Sequence, residues 1–227
     1  ELTAAVLDFD LGRYASAQRR LTDLLAHTRS RYERALQQRL LANVQLAQGD
    51  AAAAFASAEA AIALADSQHP NEEVLFARQV RAQSMAVLSP TQAALAEIQS
   101  VIAGLGALGR SADSPEVLRA RRMRGEILLQ LGRPAESLEE LQRLATHLRQ
   151  APGRRVLELG QTLDLMGRAL LEFGRSGEAM AAHASARVAY EEQLQADHPF
   201  LQRNALYREV ARRRTDELLA GAKVAHR

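Results

Sequence analysis

Arg39 and Asn43 are four residues apart, so they would lie one turn apart on the same side of a helix. The planar guanidinium of Arg39 suits bidentate binding of a carboxylate, and the Asn43 amide suits a peptide main chain. Polar pairs with the same separation recur three times along the chain. Together with two further residues they form one set of candidate peptide-binding positions: Arg39, Asn43, Gln79, Gln83, Arg119, Arg122, Glu126, Gln161, Asp164 and Arg168.

Residues with catalytic or metal-binding chemistry are sparse. The chain has no cysteine, and its six histidines show neither metal-ligand spacing nor a carboxylate at a fixed offset. We expect His69 and His198 to cap helices. The glycine-rich segment 104–109 ends a predicted helix instead of opening one after a strand, so it is not a phosphate-binding loop. The sequence therefore predicts no catalytic residue, no metal and no cofactor, and it argues against an enzyme.

Arginines concentrate in two clusters, at 119–124 and 208–214. Glutamates at helical spacing accompany both clusters, which predicts surface ion pairs. No aromatic residues alternate with the arginines to stack on bases, and 27 acidic residues nearly balance 29 basic ones, for a net charge of +2. This balance argues against a nucleic-acid partner.

The chain contains no apolar run approaching the ~18 residues that a membrane span requires. We therefore expect no membrane insertion within this segment and a cytoplasmic location, with the periplasmic part of a membrane-anchored receptor as the alternative. Because the chain begins with Glu1 instead of Met, we expect a fragment of a larger protein.

Five similar turns set the framework that would position these side chains. A glycine marks four of them, and Ser89 stands at the third in chain order. The intervals between successive markers are 37, 40, 43 and 42 residues, the range typical of repeated helix pairs. The five turn markers are Gly12, Gly49, Ser89, Gly132 and Gly174.

A small residue follows each marker at the fifth position, and mostly apolar residues follow four and seven positions later. This spacing is typical of a helix face that packs closely on its neighbour. The small residues are Ala17, Ala54, Ala94, Ser137 and Ala179. Ser30 and the Ser89-Pro90 and Ser114-Pro115 pairs are predicted to begin helices.

The sequence thus predicts a single all-α domain over 1–227, a right-handed superhelical solenoid of about five helix pairs and a C-terminal capping helix. Because no turn glycine occurs 42 residues after Gly174, where Asp216 stands, no sixth pair is expected. Leu201, Leu206 or Tyr207, and Val210 are predicted to cover the last pair. The predicted pairs are 1–29, 31–66, 70–105, 115–150 and 154–195, and the capping helix is 199–219.

This pattern resembles the tetratricopeptide repeat (TPR). Small residues Ala42, Gly125 and Gly167 match the first helix of that repeat. The segment 186–201, ARVAYEEQLQADHPFL, is similar to the link of the kinesin-light-chain type, with partial copies at His69-Pro70 and Ser114-Pro115.

The resemblance implies an interaction module that binds a partner protein or peptide on its concave face. That type usually carries asparagines on the inner face of each first helix, whereas the equivalent positions here are Arg39, Gln79, Arg122, Asp164 and Leu206. Kinesin-light-chain specificity is therefore not expected to transfer. A modest excess of arginine predicts an acidic partner.

An alternative hypothesis is a ligand-sensing or homodimerising regulatory domain. Bacterial repeats of this type occur in signalling proteins such as Ser/Thr kinases and winged-helix transcription activators, so the resemblance implies a comparable setting here.

Overall fold

A computed structural model describes residues 1–65, 72–150 and 155–225. Within these residues the protein contains eleven α-helices and no β-strand. The helices are α1 (Leu2–Asp10), α2 (Tyr14–His27), α3 (Arg31–Ala47), α4 (Ala51–Leu64), α5 (Glu72–Leu88), α6 (Gln92–Ala107), α7 (Pro115–Gln130), α8 (Pro134–Gln150), α9 (Val156–Glu172), α10 (Ser176–Glu191) and α11 (Pro199–Ala225). The all-α prediction and its TPR-like helix pairing are confirmed.

The chain forms two compact units, Glu1–Leu131 and Gly132–Arg227. In the first unit, α1, α3 and α5 each pack against the next helix, and the first helices α1, α3, α5 and α7 also pack in series. Its largest core cluster is centred on Leu95, Ile98 and Leu105 of α6.

In the second unit, α9 packs between α8 and α10, and α11 packs on both α9 and α10. Leu163 and Tyr190 form a core cluster that Phe200 and Leu201 of α11 extend. Helix α11 therefore covers the last pair, as predicted.

The side chains of α11 agree with the prediction at Leu201 and at Tyr207, the second of the two alternatives, and differ from it at Val210. Leu201 and Tyr207 lie toward the unit, but Leu206 is 67% exposed and Val210 is 47% exposed. The fully buried residues of α11 include Asn204 and Ala211 instead. The difference arises because α11 presents to α9 and α10 the helix face that contains these two smaller residues.

Another face of α11 explains why this helix closes its unit. In α9, Gly160, Leu163 and Gly167 face α10. The positions 42 residues later in α11 are Gln202, Ala205 and Glu209, none of which is buried. A polar face of this kind does not favour packing of another apolar helix.

The turn markers behave as the sequence predicts. Each marker glycine has a positive φ, from 68° at Gly132 to 88° at Gly49, which permits a sharp exit from the preceding helix. The small residues five positions later are all fully buried: Ala17, Ala54, Ala94, Ser137 and Ala179.

Several helix limits differ from the predictions. Helix α6 begins at Gln92 and not at Pro90, because Thr91 adopts an extended conformation and its hydroxyl accepts from the backbone N–H of Ala94. Helix α10 ends at Glu191, whereas α11 continues to Ala225. The helix starts after Ser30 and Ser114 are confirmed. The links containing His69-Pro70 and Pro152 lie outside the described residues.

Gly174 and Gly177 allow a matched test of the turn. Gly174 has φ = +69° and Gly177 lies in α10, and an added Cβ would meet nothing within 4 Å at either residue. We expect Gly174→Ala to lower the free energy of unfolding by about 1–2 kcal/mol, because a left-handed backbone opposes a Cβ. Gly177→Ala should raise that free energy by roughly 0.4–1 kcal/mol. Urea denaturation measures both, and equal effects would contradict the backbone explanation.

Asp8 joins the first two helices. Its carboxylate accepts hydrogen bonds from Ser16 at 2.8 Å and from Arg20 at 2.9 Å. These bonds, with Ser16 as the larger contribution, lower the pKa of Asp8 from its ordinary value of 3.8. The folded pKa is thus below the unfolded pKa. The stabilisation is complete above the ordinary pKa and is lost as pH falls through the folded pKa.

We therefore expect acid to weaken the docking of α1 on α2. In the wild-type protein, hydrogen-exchange protection factors of α1 should stay constant down to about pH 5 and should fall as the pH is lowered below 3.8, the ordinary pKa of Asp8. Asp8→Asn should show lower protection at neutral pH and less change with acid. An equal acid response in both proteins would exclude Asp8 as the cause.

Candidate functional site

The predicted peptide-binding residues occupy three positions of the repeat. They stand thirteen, ten or six residues before a turn marker, and we call these positions the inner register. They are divided between the two units. In the first unit are Arg39, Asn43, Gln79, Gln83, Arg119, Arg122 and Glu126, and in the second are Gln161, Asp164 and Arg168.

Arg39 is neutralised within the first unit. Its guanidinium forms an ion pair with Glu73 of α5, and the two side chains are only 14% and 9% exposed. The same guanidinium lies 5.5 Å from the centre of the Phe76 ring. Arg39 therefore holds α3 against α5.

Two glutamines of α5 reach α7 in the same way. The Gln79 amide donates to the sulfur of Met123 at 2.9 Å, and the Gln83 amide donates to Glu126 at 2.9 Å. Gln79 is buried, whereas Gln83, Glu126 and Asn43 are half-buried. The first helices of this unit are thus joined by side chains that the sequence assigns to partner binding.

Arg119 and Arg122 differ in exposure. Arg119 is exposed and Arg122 is half-buried. Burial raises the pKa of Asp10, at the end of α1, and the positive charge of Arg119 opposes that rise. Charges of both signs therefore lie near each other in the first unit, which reduces the excess of arginine that the sequence suggests.

Asp164 lies at the centre of a buried polar cluster in the second unit. Its Oδ1 is 2.8 Å from Nδ1 of His183 and accepts from the Asn204 amide at 2.7 Å. Its Oδ2 accepts from the Tyr190 hydroxyl at 3.0 Å. Asn204 also donates to the backbone carbonyl of His183 at 2.9 Å. These four residues, which we call the Asp164 cluster, join α9, α10 and α11.

Two glycines of α9 make room for this cluster. A Cβ on Gly160 would come within 2.7 Å of the Tyr190 ring, and a Cβ on Gly167 would come within 2.4 Å of the His183 ring. Both pairs are seven residues apart in their own helices, and the helices run antiparallel. Two glycines seven residues apart in α9 thus lie opposite two large side chains seven residues apart in α10. This pattern is the sequence signal that could have revealed the cluster.

Arg168 and Gln161, on the same helix as Asp164, are half-buried. The guanidinium of Arg168 is 5.7 Å from the centre of the Tyr207 ring, and Tyr207 in turn lies 5.4 Å from the His183 ring. Interaction between a cation and a ring face is attractive. Arg168 is thereby positioned by α11.

His198 and the second arginine cluster agree with their predicted roles. Nδ1 of His198 accepts from the backbone N–H of Phe200 at 3.1 Å, which caps the start of α11. Arg212 and Arg213 both pair with Glu209. Among the described residues, no group of three His, Asp or Glu side chains has a metal-binding arrangement. Nor is any helix in that part of the chain long and apolar enough to span a membrane.

No family model matches the chain, and no curated protein matches it either. Solved structures do resemble it. A protein of Podosopora anserina, described as a kinesin light chain with nearly identical TPR-like repeats, is 19% identical. The alignment covers 86% of this chain and 95% of that chain, with a TM-score of 0.55. A single-substitution variant of the same protein is 17% identical, with 88% and 94% covered and a TM-score of 0.59.

BtubC (BKLC) from P. vanneervenii is 12% identical, with 92% of this chain and 84% of that chain covered and a TM-score of 0.61. At such identities the likeness shows the fold alone. The fold class is a solenoid of paired α-helices. Within that class the chain has the fold of TPR-like repeat proteins, a fold that generally mediates protein–protein interaction.

The Asp164 cluster provides a test of how α11 is held. Asp164→Ala leaves three buried donors without their acceptor, so we expect it to lower the free energy of unfolding by about 2–4 kcal/mol. Tyr190→Phe, which removes only one donor, should cost about 1 kcal/mol. Glu172→Ala changes an exposed carboxylate on the same helix and serves as the control. Similar denaturation midpoints for Asp164→Ala and Glu172→Ala would contradict a central role for the cluster.

Proposed function

We propose that the protein is an interaction module that binds a segment of a partner protein along the inner register of its first helices. The observation that best supports this proposal is the set of bonds between α3, α5 and α7. The Arg39–Glu73 and Gln83–Glu126 contacts hold inner-register side chains in place without a partner. Such preorganisation lowers the entropy cost of binding.

The charges at the inner register of the first unit favour binding of a partner's main chain, whereas the sequence suggests binding of its acidic side chains. Glu73 compensates Arg39, so this arginine is poorly suited to bind an acidic group. Amides remain suitable, because each offers both donors and an acceptor to a peptide main chain. We propose that Asn43 and Gln83, which are half-buried, contact the partner's main chain in this unit.

The same geometry makes Arg39→Ala a poor probe of binding. Removing this guanidinium leaves Glu73, whose side chain is only 9% exposed, without its counter-charge. The free energy of unfolding would then fall together with any change in affinity. Amide substitutions avoid this complication for Asn43.

Self-association is a second candidate function. Val6 and Leu7 of α1 and Leu11, which directly follows α1, are 38%, 57% and 36% exposed, which leaves apolar surface at one helix. Light scattering over a range of concentrations would reveal dimers. Leu7→Asp should abolish them if α1 forms the contact.

A peptide selection tests the main proposal. A random peptide display library would be selected against the full chain, and enriched peptides would be synthesised and titrated by fluorescence anisotropy. We expect Asn43→Ala and Gln83→Ala each to weaken binding by roughly 2- to 10-fold, the effect of one hydrogen bond. Gln99→Ala removes an exposed amide on the second helix α6 and should change nothing. Equal affinity of all three variants would place peptide binding away from the first unit's inner register.

A further inference from the structure

Helix α11 continues the inner register with unusual residues. Arg203, Leu206 and Val210 stand 42 residues after Gln161, Asp164 and Arg168 of α9. Asp164 is buried, but Leu206 is 67% exposed and Val210 is 47% exposed. Two large apolar side chains exposed one turn apart at a binding register are a typical sign of a partner contact.

On both α9 and α11 one inner-register arginine lies near an aromatic ring. The Arg168 guanidinium is 5.7 Å from the centre of the Tyr207 ring, and the Arg203 guanidinium is 5.1 Å from the centre of the Phe200 ring. A ring face attracts a guanidinium without cancelling its positive charge. An arginine held in this way remains chemically suited to binding an acidic group.

Both rings rest on the buried interior. Tyr207 lies 5.4 Å from the His183 ring, and Phe200 lies 5.8 Å from the Tyr190 ring. His183 and Tyr190 are fully buried members of the Asp164 cluster. The cluster therefore fixes the two rings, and the rings fix the two arginines.

The surrounding charge is mainly positive. Arg214 follows Val210 by one turn of α11 and stands 42 residues after Glu172 of α9. With these two residues added, the inner-register positions of α9 and α11 include three arginines and one exposed glutamate around the two apolar residues. A second copy of the chain would bring the same arginines to this surface, so charge complementarity favours an acidic partner over self-pairing.

We propose that Arg168, Arg203, Leu206 and Val210 form a docking surface for an acidic, amphipathic segment of a partner protein. Aliphatic side chains of that segment cover Leu206 and Val210, and its Asp or Glu side chains bind the two arginines that lie near the rings. The inference rests on the proposed interaction function. It places the binding of acidic partner segments in the second unit.

Enriched peptides from the display selection on the full chain provide the probe. We expect sequences in which Asp or Glu alternate with Leu, Ile or Val, and we expect salt to weaken their binding. Leu206→Asp and Val210→Asp should each weaken binding by roughly tenfold or more, because each removes apolar contact and adds a repulsive charge. Val188→Asp is the matched control, since Val188 of α10 is 60% exposed and outside this surface.

Substitutions of Tyr207 test whether its ring positions Arg168. Tyr207→Phe keeps the aromatic face and should bind like the wild-type chain, whereas Tyr207→Leu should weaken binding severalfold. Circular dichroism would verify that both variants remain folded. Equal weakening by the two substitutions would contradict positioning of Arg168 by the ring.

The outcomes distinguish this inference from the general function. If Asn43→Ala and Gln83→Ala weaken binding but Leu206→Asp does not, the docking surface is wrong and the interaction function stands. If neither the two amide substitutions nor Leu206→Asp changes affinity, both proposals fail. If no peptide is enriched and light scattering shows dimers that Leu206→Asp abolishes, the occupant is a second copy and the acidic-segment proposal is overturned.

Discussion

The close packing of paired helices governs the arrangement of the turns and of the buried side chains. It is possible because a small side chain stands five residues after each turn, and Ala17, Ala54 and Ala94 in the first unit are fully buried. In the second unit Gly160 and Gly167 extend the same principle to rings, since a Cβ at either position would overlap Tyr190 or His183. Interiors are close-packed, so one methyl group at such a contact requires a neighbour to move. Turn glycines with positive φ then return the chain for the next pair.

The Asp164 cluster adds specificity to this packing. Apolar contacts alone are compatible with several positions of α11 along α9 and α10. The hydrogen bonds from Asn204 and Tyr190 to the Asp164 carboxylate can form in only one of these positions. The cluster is not fully satisfied, because Nε2 of His183 and Oδ1 of Asn204 have no hydrogen-bond partner among the described residues. We infer that its main contribution is to fix the register of α11, a role that buried polar groups fulfil in other helical proteins.

The two units use equivalent positions differently. In the first unit Arg39, Gln79 and Gln83 bind neighbouring helices, so they stabilise the stack as well as forming its inner surface. In the second unit Asp164 is buried beneath the surface, and the exposed register passes to Leu206 and Val210 of α11. Polar character at a repeat position therefore indicates either a binding residue or a contact between repeats, and spacing does not separate the two.

The repeat can be predicted from the sequence, because turn glycines, small residues and apolar positions act through local backbone geometry and helix periodicity. Those signals predict the eleven helices of the described residues. Some helix ends differ by a few residues, as where Thr91 caps α6 in place of Ser89, and α11 is longer than predicted. Which polar residues face one another depends on how separate helices pack. The partners Asp164 and Asn204 are 40 residues apart in the chain, and Arg39 and Glu73 are 34 apart. Such pairings depend on side-chain directions between separate helices, and a local pattern does not encode them.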